Sequence, residues 1–160
     1  MNFFVLHNIR SSWNVGAIMR TADALSMQVI MVGYTSKPVG KTLEMIKKTA
    51  IGAEKTVPWE AFDFYTEVLS KYPVSSNNHF GIEISQNSKD IYEYLTSQKS
   101  SSQNFKNTFL WLGNEISGLE FELMCNLTQT LHLKMLGSKE SLNVANCACA
   151  AGYLLNYLTT

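Results

Sequence analysis

Short apolar segments alternate along this chain with segments in which apolar residues recur every three or four positions. Continuous apolar runs predict buried strands at residues 3–6, 28–32, 79–84, 108–112 and 129–135, with a short strand at 56–57. Helical spacing is clearest after Asn14, where Val15, Ile18 and Ala22 share one face. The alternation predicts an α/β protein with a mostly parallel sheet flanked by helices.

Further helices are predicted at residues 43–48, 59–69, 91–95 and 119–125, and a helix of small residues follows Ala145. Residues 96–107 form a Ser- and Gln-rich, low-complexity stretch, which we interpret as a flexible surface connection. A length of 160 residues favours one core, so we expect a single domain over residues 1–160.

Three polar loops follow predicted strands, at residues 8–14, 112–119 and 137–145. Parallel strands present their carboxyl ends at one edge of a sheet, and ligands of open α/β sheets bind beyond that edge. We therefore expect the three loops to converge on one ligand pocket. The third loop leads directly into the small-residue helix, which packs behind it.

Composition narrows the classes of protein. With 46% hydrophobic and 16% charged residues, the chain is globular rather than disordered. No apolar run approaches the ~18 residues of a membrane span, and the first residues lack a basic, cleavable signal, so we expect no membrane association and a cytoplasmic protein. His7, His79 and His132 are scattered along the chain without the spacing of a zinc site, and no metal is expected.

The three cysteines cannot all pair, and we interpret them as small buried apolar residues in a reducing compartment. Cys147 and Cys149 are separated by about 200° around a helix axis and should face different sides. The net charge is zero, but residues 1–60 carry seven Lys and Arg against four Asp and Glu, and residues 61–160 carry six against nine. A basic face and ordinary solvated charge both fit this asymmetry.

Several loop residues have both a chemical and a structural interpretation. Asn14 suits the N-cap of the first helix, and Gly16 indicates close approach of a backbone or a ligand. Arg20 fits either a solvated arginine or a functional cation, and Glu115 fits either a cap or a partner of Arg20. Gly113, directly after a strand, leaves room for a flat ligand.

In the third loop, Ser141 is a possible helix cap, and Asn143 is a poor helix former without another role. The chain has no GxGxxG or GxxxxGK[ST] motif, which argues against dinucleotide and nucleoside-triphosphate cradles. It also lacks a nucleophile paired with a histidine base, so hydrolase chemistry is not supported.

Three segments together resemble the SpoU-type (TrmH-like) branch of the SPOUT RNA methyltransferases. They are residues 14–24 (NVGAIMRTADA), residues 112–119 (LGNEISGL), and residues 135–145, which include Met135 and the sequence SLNVA. Their order and separation also match, and the resemblance covers essentially the whole chain.

The resemblance implies S-adenosylmethionine as methyl donor, RNA (tRNA or rRNA) as substrate and a ribose 2′-hydroxyl as methyl acceptor. It also implies a C-terminal deep trefoil knot, the SPOUT fold, although knots are very rare among proteins. A homodimer through the first and last helices is expected. The small residues Ala145, Ala148, Ala150, Ala151 and Gly152 would allow close helix approach, and Tyr153 and Tyr157 would supply area.

Carried over by position, the resemblance also assigns site residues. The cofactor-binding positions are Glu83, Gly113, Leu133, Met135, Ser141 and Leu142. The catalytic positions are Asn14, Arg20, Glu115, Ser141 and Asn143. A guanidinium stays charged in proteins, so Arg20 is interpreted as holding a phosphate and stabilising alkoxide charge rather than acting as a base. Glu115 would orient Arg20, and the remaining three would place the ribose.

The chain departs from the family pattern at Ser26, Ile116 and Lys134, and Ile116 lies where it could alter the substrate side. No added RNA-binding domain is expected, so RNA contact would come from the basic residues Arg10, Lys37, Lys41, Lys47 and Lys48. Two other functions remain open at this point: a non-catalytic RNA-binding protein on the same knotted fold, and an unrelated nucleotide-binding α/β protein.

Overall fold

The computed structural model describes residues 1–98 and 107–159, and its centre is a parallel sheet. The strands are β1 (Asn2–His7), β2 (Gln28–Val32), β3 (Trp59–Phe62), β4 (Asn78–Ile82), β5 (Lys89–Asp90), β6 (Thr108–Leu112) and β7 (Gln129–His132). Within the described residues they form one seven-stranded sheet in the order β3-β2-β1-β6-β4-β7-β5, with every neighbouring pair parallel. The mostly parallel sheet predicted from the sequence is confirmed.

Helices cover both faces of this sheet. They are α1 (Ser12–Ala24), α2 (Gly40–Ala50), α3 (Ala53–Thr56), α4 (Tyr65–Lys71), α5 (Ile91–Gln98), α6 (Phe121–Cys125) and α7 (Val144–Thr159). Alternate residues of β1 enter different cores, because successive strand residues point to opposite faces. Phe4 and Leu6 pack with α1, α2, α5 and α7, and Phe3 and Val5 pack with α4 and α6. Burial on both faces explains the continuous apolar runs.

The segment after Pro58 differs from the sequence prediction of one helix at residues 59–69. Residues Trp59–Phe62 instead form β3, which pairs with β2, and the helix begins only at Tyr65. The Glu67 carboxylate fixes this start by accepting the backbone N–H groups of Asp63 and Phe64. The short strand predicted at 56–57 is also wrong, because Thr56 ends α3.

Two other element boundaries differ. Strand β7 ends at His132, where its pairing with β5 stops, so Leu133 and Met135 lie in a loop rather than in the predicted strand. Helix α6 begins at Phe121 rather than at residue 119. Of the predicted connection at residues 96–107, residues 96–98 complete α5, and residues 99–106 lie outside the described residues.

The small residues of α7 are used within the chain itself. Ala148 and Ala151 are fully buried, and a Cβ on Gly152 would lie 2.7 Å from atoms of Phe4 and Leu25. Ala148, Ala151 and Gly152 thus serve packing within the chain, whereas Ala150 is half-buried, and close helix approach between two subunits stays a prediction. Tyr153 and Tyr157 remain exposed on the same helix. None of the helices among the described residues has the length and hydrophobicity needed to cross a bilayer.

A buried histidine lies on the face of the sheet opposite α7. His79 Nδ1 accepts a hydrogen bond from Trp111 Nε1 at 3.0 Å, and its ring stacks on Phe109. Because indole N–H only donates, the ring proton is on Nε2, which donates to the Tyr72 carbonyl oxygen at 2.7 Å. Burial lowers the pKa of His79 to about 4, despite the opposing effect of this last bond.

We predict that acid destabilises the fold through His79. Between pH 6.5 and about 4 the unfolded chain binds a proton at this histidine and the folded chain does not. Lowering the pH across this range therefore lowers the free energy of unfolding by up to about 3 kcal/mol. Urea titrations over this range should show the loss. His79→Gln should be less stable at neutral pH and should lack this component. An unchanged pH dependence of stability in the variant would contradict the assignment. The pKa of His7 is also lowered by burial, but His7 adds the same pH dependence to both proteins, so the difference between them reports His79.

Candidate functional site

The loops after β1 and β6 are joined by the Glu115 carboxylate at the carboxyl edge of the sheet. Glu115 Oε2 accepts from the Arg10 N–H at 3.1 Å, and Oε1 accepts from the Ser11 N–H and from Asn14 Nδ2, each at 3.0 Å. Partial burial opposes ionisation, but the bonds from Arg10, Asn14 and Ser11 outweigh it and lower the pKa of Glu115. The carboxylate therefore stays ionised at neutral pH.

The loop after β7 joins the same network through an asparagine pair. Asn143 Nδ2 donates to Asn14 Oδ1 at 3.2 Å, and Asn143 Oδ1 accepts from the Ala145 N–H at 2.9 Å at the start of α7. All three polar loops thus meet, as the sequence analysis predicted. The helix caps differ from expectation, because Asn143 rather than Ser141 caps α7, and Ser11 rather than Asn14 caps α1.

The loop between β6 and α6 is organised by Asn114. Its Oδ1 accepts from the backbone of Ile116 and Ser117, and its own backbone forms a bridge with Gly118. A Cβ on Gly113 would lie 2.3 Å from the Gly118 carbonyl carbon. The missing side chain of Gly113 thus makes room for the returning loop backbone, and the expectation that it also makes room for a ligand stays a prediction. Ser117 and Gly118 belong to the same turn.

Glu83, directly after β4, also fixes the loop between β6 and α6. Its Oε2 accepts from the Leu119 N–H at 2.9 Å, and its Oε1 accepts from the Ile84 N–H at 3.1 Å. Gly118 has a φ of +68°, and a Cβ there would lie 2.2 Å from Glu83 Oε2. The position of the loop therefore depends on Glu83 as well as on Asn114.

These loops enclose a cavity of about 610 Å³. All six residues predicted to bind a cofactor line it: Glu83, Gly113, Leu133, Met135, Ser141 and Leu142. Three of the five predicted catalytic residues also line it: Glu115, Ser141 and Asn143. Asn14 is tied to its wall through its bonds to Glu115 and Asn143.

Arg20 lies elsewhere in the chain. It lines a groove of about 420 Å³ between α1, α2 and α7, together with Lys48, Cys149 and Tyr153. The expected contact in which Glu115 orients Arg20 is absent from the described residues, because the Glu115 oxygens are engaged by the loop after β1. Arg20 thus belongs to the same sequence motif as Asn14, but its position on α1 places it outside the cavity.

The cavity is also lined by residues that the sequence did not predict as site residues. Asn114 stands inside the recognised second motif, His132 ends β7 with its Nδ1 3.0 Å from Ser88 Oγ, and Cys147 lies one turn beyond the Asn143 cap. Burial, followed by the charge of Glu83, raises the pKa of the Cys147 thiol to about 11, so it stays neutral.

The other cysteines and the basic residues occupy different surroundings. Cys149 lines the second groove, which confirms that it and Cys147 face different sides, but Cys125 is exposed rather than buried. Arg10, Lys41 and Lys48 are exposed, whereas Lys47 pairs with Glu44 and Lys37 donates to the Gly33 carbonyl. Across residues 1–98 and 107–159, no group of three His, Cys, Asp or Glu side chains is placed to hold a metal ion.

Comparison with known proteins identifies relatives of this architecture. The model of the SpoU rRNA Methylase family matches residues 1–153. The SpoU methyltransferase AviRb from Streptomyces viridochromogenes has the same fold (TM-score 0.80, 23% identity), over 99% of this chain and 60% of AviRb. No curated protein sequence matches this chain significantly.

Two further solved structures are similar. One, described as "Structural insights into the 2-OH methylation of C/U34 on tRNA", has a TM-score of 0.81 and 22% identity, covering 99% of this chain and 95% of that one. The AdoMet-bound rRNA methyltransferase from Sinorhizobium meliloti has a TM-score of 0.82 and 22% identity, covering 98% and 56%. This chain therefore spans about 60% of the length of AviRb but nearly all of the second relative.

We predict that Gly118→Ala destabilises the protein more than Gly40→Ala. Both glycines have positive φ, so both substitutions incur about 1 kcal/mol of backbone strain. Nothing lies within 4 Å of a Cβ on Gly40, but at Gly118 the methyl group must displace Glu83 from Leu119, which adds about 1–3 kcal/mol. Chemical denaturation of both variants measures the difference. In a Glu83→Ala background the excess should vanish, and an excess that persists there would rule out this contact as its cause.

Proposed function

This chain belongs to the SpoU rRNA methylase family, and on that premise we propose that it is an S-adenosylmethionine-dependent methyltransferase acting on a ribose 2′-hydroxyl of tRNA or rRNA. The observation that carries the proposal is the hydrogen-bonded series Glu115–Asn14–Asn143, which joins the three family motifs around one cavity. The relatives named for AdoMet binding and for 2-OH methylation on tRNA support it, each at 22% identity.

The cavity lining fits S-adenosylmethionine chemically. Ile82, Leu133, Met135 and Leu142 present apolar surface suited to an adenine ring, and the loop backbones beside them supply hydrogen-bonding groups. The carboxylates that line the cavity, Glu83, Glu115 and Glu140, suit a cationic ligand. When bound, the cofactor supplies a methyl group already activated by the sulfonium charge.

Because the donor is activated, the protein contributes mainly by positioning the acceptor. We propose that the Ser141 hydroxyl and the Asn143 amide orient the ribose, with Asn14 fixing Asn143. Ser141 is exposed, and among the described residues no hydrogen bond engages its hydroxyl, so it is available to a ligand. Glu115 is assigned a positioning role, because its oxygens are committed to the loop after β1.

Arg20 requires a second subunit to act in this scheme. It lies outside the cavity of its own chain, on a groove lined by α2 and by α1 and α7, the two helices expected to dimerise. We propose a homodimer through α1 and α7, in which Arg20 of one protomer reaches the cavity of its partner, binds the phosphate beside the target ribose and stabilises alkoxide charge. Exposed Trp13, Tyr153 and Tyr157 supply aromatic surface for this contact. A deep C-terminal trefoil knot and a single domain over residues 1–160 belong to the same proposal.

The reaction is tested by incubating the protein with methyl-labelled S-adenosylmethionine and total RNA, followed by nucleoside analysis. We expect label in 2′-O-methylnucleosides. Label confined to a base would replace the ribose assignment, and cofactor binding without transfer to any RNA would favour a non-catalytic RNA-binding protein. Ser141→Ala should lower transfer while leaving the fold intact, since this side chain is exposed.

Arg20 variants test the role assigned to the guanidinium. Arg20→Ala should lower the rate of methyl transfer by about 10²–10³-fold, in the range found for removal of a charge-stabilising donor. S-adenosylmethionine affinity should be unchanged, because the proposal assigns the guanidinium to the RNA phosphate and not to the cofactor. Arg20→Lys should remain impaired, since lysine lacks the planar fork that pairs with phosphate, and near-normal activity in this variant would count against phosphate clamping.

Subunit exchange tests whether Arg20 acts across the interface. We expect a mixture of inactive Arg20→Ala and Ser141→Ala homodimers to regain activity after exchange, because one site of each heterodimer then has both residues. If Arg20 served its own chain, each site of the heterodimer would lack one residue and the mixture would stay inactive. Co-purification of one variant with an affinity-tagged form of the other confirms that exchange has occurred.

A further inference from the structure

Tyr34 is an aromatic residue that is held in place and yet remains largely uncovered. It follows β2, its side chain is 60% exposed, and it belongs to neither hydrophobic core. Its hydroxyl accepts a hydrogen bond from Asn114 Nδ2 at 3.0 Å, and its backbone N–H donates to Asn8 Oδ1 at 3.3 Å. Both ends of the residue are fixed, while the ring contributes little to packing.

The turn that presents Tyr34 requires an unusual backbone. Gly33 has a φ of +66°, and a Cβ there would lie 2.1 Å from Asn8 Oδ1. Asn8 also has a positive φ, of 61°, a conformation that is unfavourable for residues other than glycine. Asn8 and Gly33 thus both adopt the left-handed backbone conformation where their two loops meet. This geometry fixes the position of the exposed Tyr34 ring.

Asn114 connects this ring to the cavity. The amide that donates to the Tyr34 hydroxyl also donates to the Asn8 carbonyl at 2.9 Å, and its oxygen organises the turn at Ile116 and Ser117. Asn114 and Ile116 themselves line the cavity. Tyr34 does not line the cavity itself, but it is hydrogen-bonded to a residue that shapes the cavity wall.

Two cationic residues belong to the loops around Tyr34. Lys37 Nζ lies 3.3 Å from the Gly33 carbonyl, and the Arg10 carbonyl accepts from Ser36 Oγ at 3.3 Å, so both residues belong to the same pair of loops. An exposed aromatic ring in loops that also carry Lys and Arg suits single-stranded nucleic acid, in which bases stack on rings and phosphates pair with Lys and Arg.

We propose that Tyr34 is the stacking platform for an unpaired nucleobase of the RNA, next to the nucleotide whose ribose enters the cavity. This inference rests on the proposed function and specifies its substrate as a loop or other single-stranded segment. Stacking uses the face common to all bases, so the platform selects for an unpaired nucleotide and tolerates different bases at that position.

The test uses a short hairpin RNA with 2-aminopurine in its loop, and a fully paired duplex of matched composition, without cofactor. We expect wild-type protein to bind the hairpin more tightly and to quench the 2-aminopurine fluorescence on binding. Tyr34→Ala should weaken hairpin binding by about tenfold and abolish the quenching, as expected for loss of one stacked base. Tyr34→Phe, which keeps the ring, should behave much more like wild type in both measurements.

Tyr92→Ala is the matched control, since Tyr92 is 56% exposed on α5, next to the edge strand β5 at the other end of the sheet. It should leave hairpin binding unchanged. Equal hairpin binding and quenching by wild type and Tyr34→Ala would overturn the platform. So would a Tyr34→Ala variant that loses equal affinity for hairpin and duplex, or one that also loses affinity for S-adenosylmethionine. A protein that stacks the hairpin base through Tyr34 but neither binds nor uses S-adenosylmethionine would instead refute the proposed function and leave the platform standing.

Discussion

The architecture of the site depends on one ionised carboxylate, that of Glu115. The N–H groups at the start of α1 have no partners within the helix and carry the positive end of its dipole, so an anion placed there satisfies them. Glu115 accepts from Arg10 and Ser11 and, through Asn14, fixes Asn143 at the start of α7. Segments more than a hundred residues apart in the chain thereby form one cavity wall. A shorter side chain at this position would leave the Arg10 and Ser11 N–H groups to water and release Asn14.

Much of this arrangement follows from local sequence patterns. Strands β1, β2 and β6 were predictable because a sheet covered on both faces requires continuous apolar runs such as Phe3–Leu6, and short loops of polar residues follow them. Convergence of the loops then follows from parallel pairing alone, since all carboxyl ends share an edge. The six residues assigned to the cofactor all line the cavity, although their roles differ: Gly113 and Glu83 shape the loop that closes it.

Other features depend on contacts between distant segments, which periodicity cannot reveal. Trp59–Phe62 has helical spacing but becomes a strand because β2 offers an unpaired edge. Ser11 rather than Asn14 caps α1 because the helix begins at Ser12, and Asn14 in its first turn is instead bonded to Glu115 and Asn143. Arg20 shares a motif with Asn14, yet the turn of the helix directs the two residues to different cavities. Tyr34 carried no signal in the sequence, because its fixed position depends on Asn8 and Asn114, far from it in the chain.

The strand order has a consequence for how the protein is made. Strand β6 lies between β1 and β4, so until residues 108–112 leave the ribosome, β1 can pair only with β2 and its other edge is open. Pairing across so long a separation in sequence is slow to form, and an open apolar edge is prone to wrong partners. In the nascent N-terminal half, this edge of β1 therefore stays unpaired until β6 has been synthesised. Chaperone binding during translation would protect the edge in that interval. Insertion of β6 also brings Glu115 to Ser11, so the first two loops are joined before β7 and the third loop complete the sheet and the cavity.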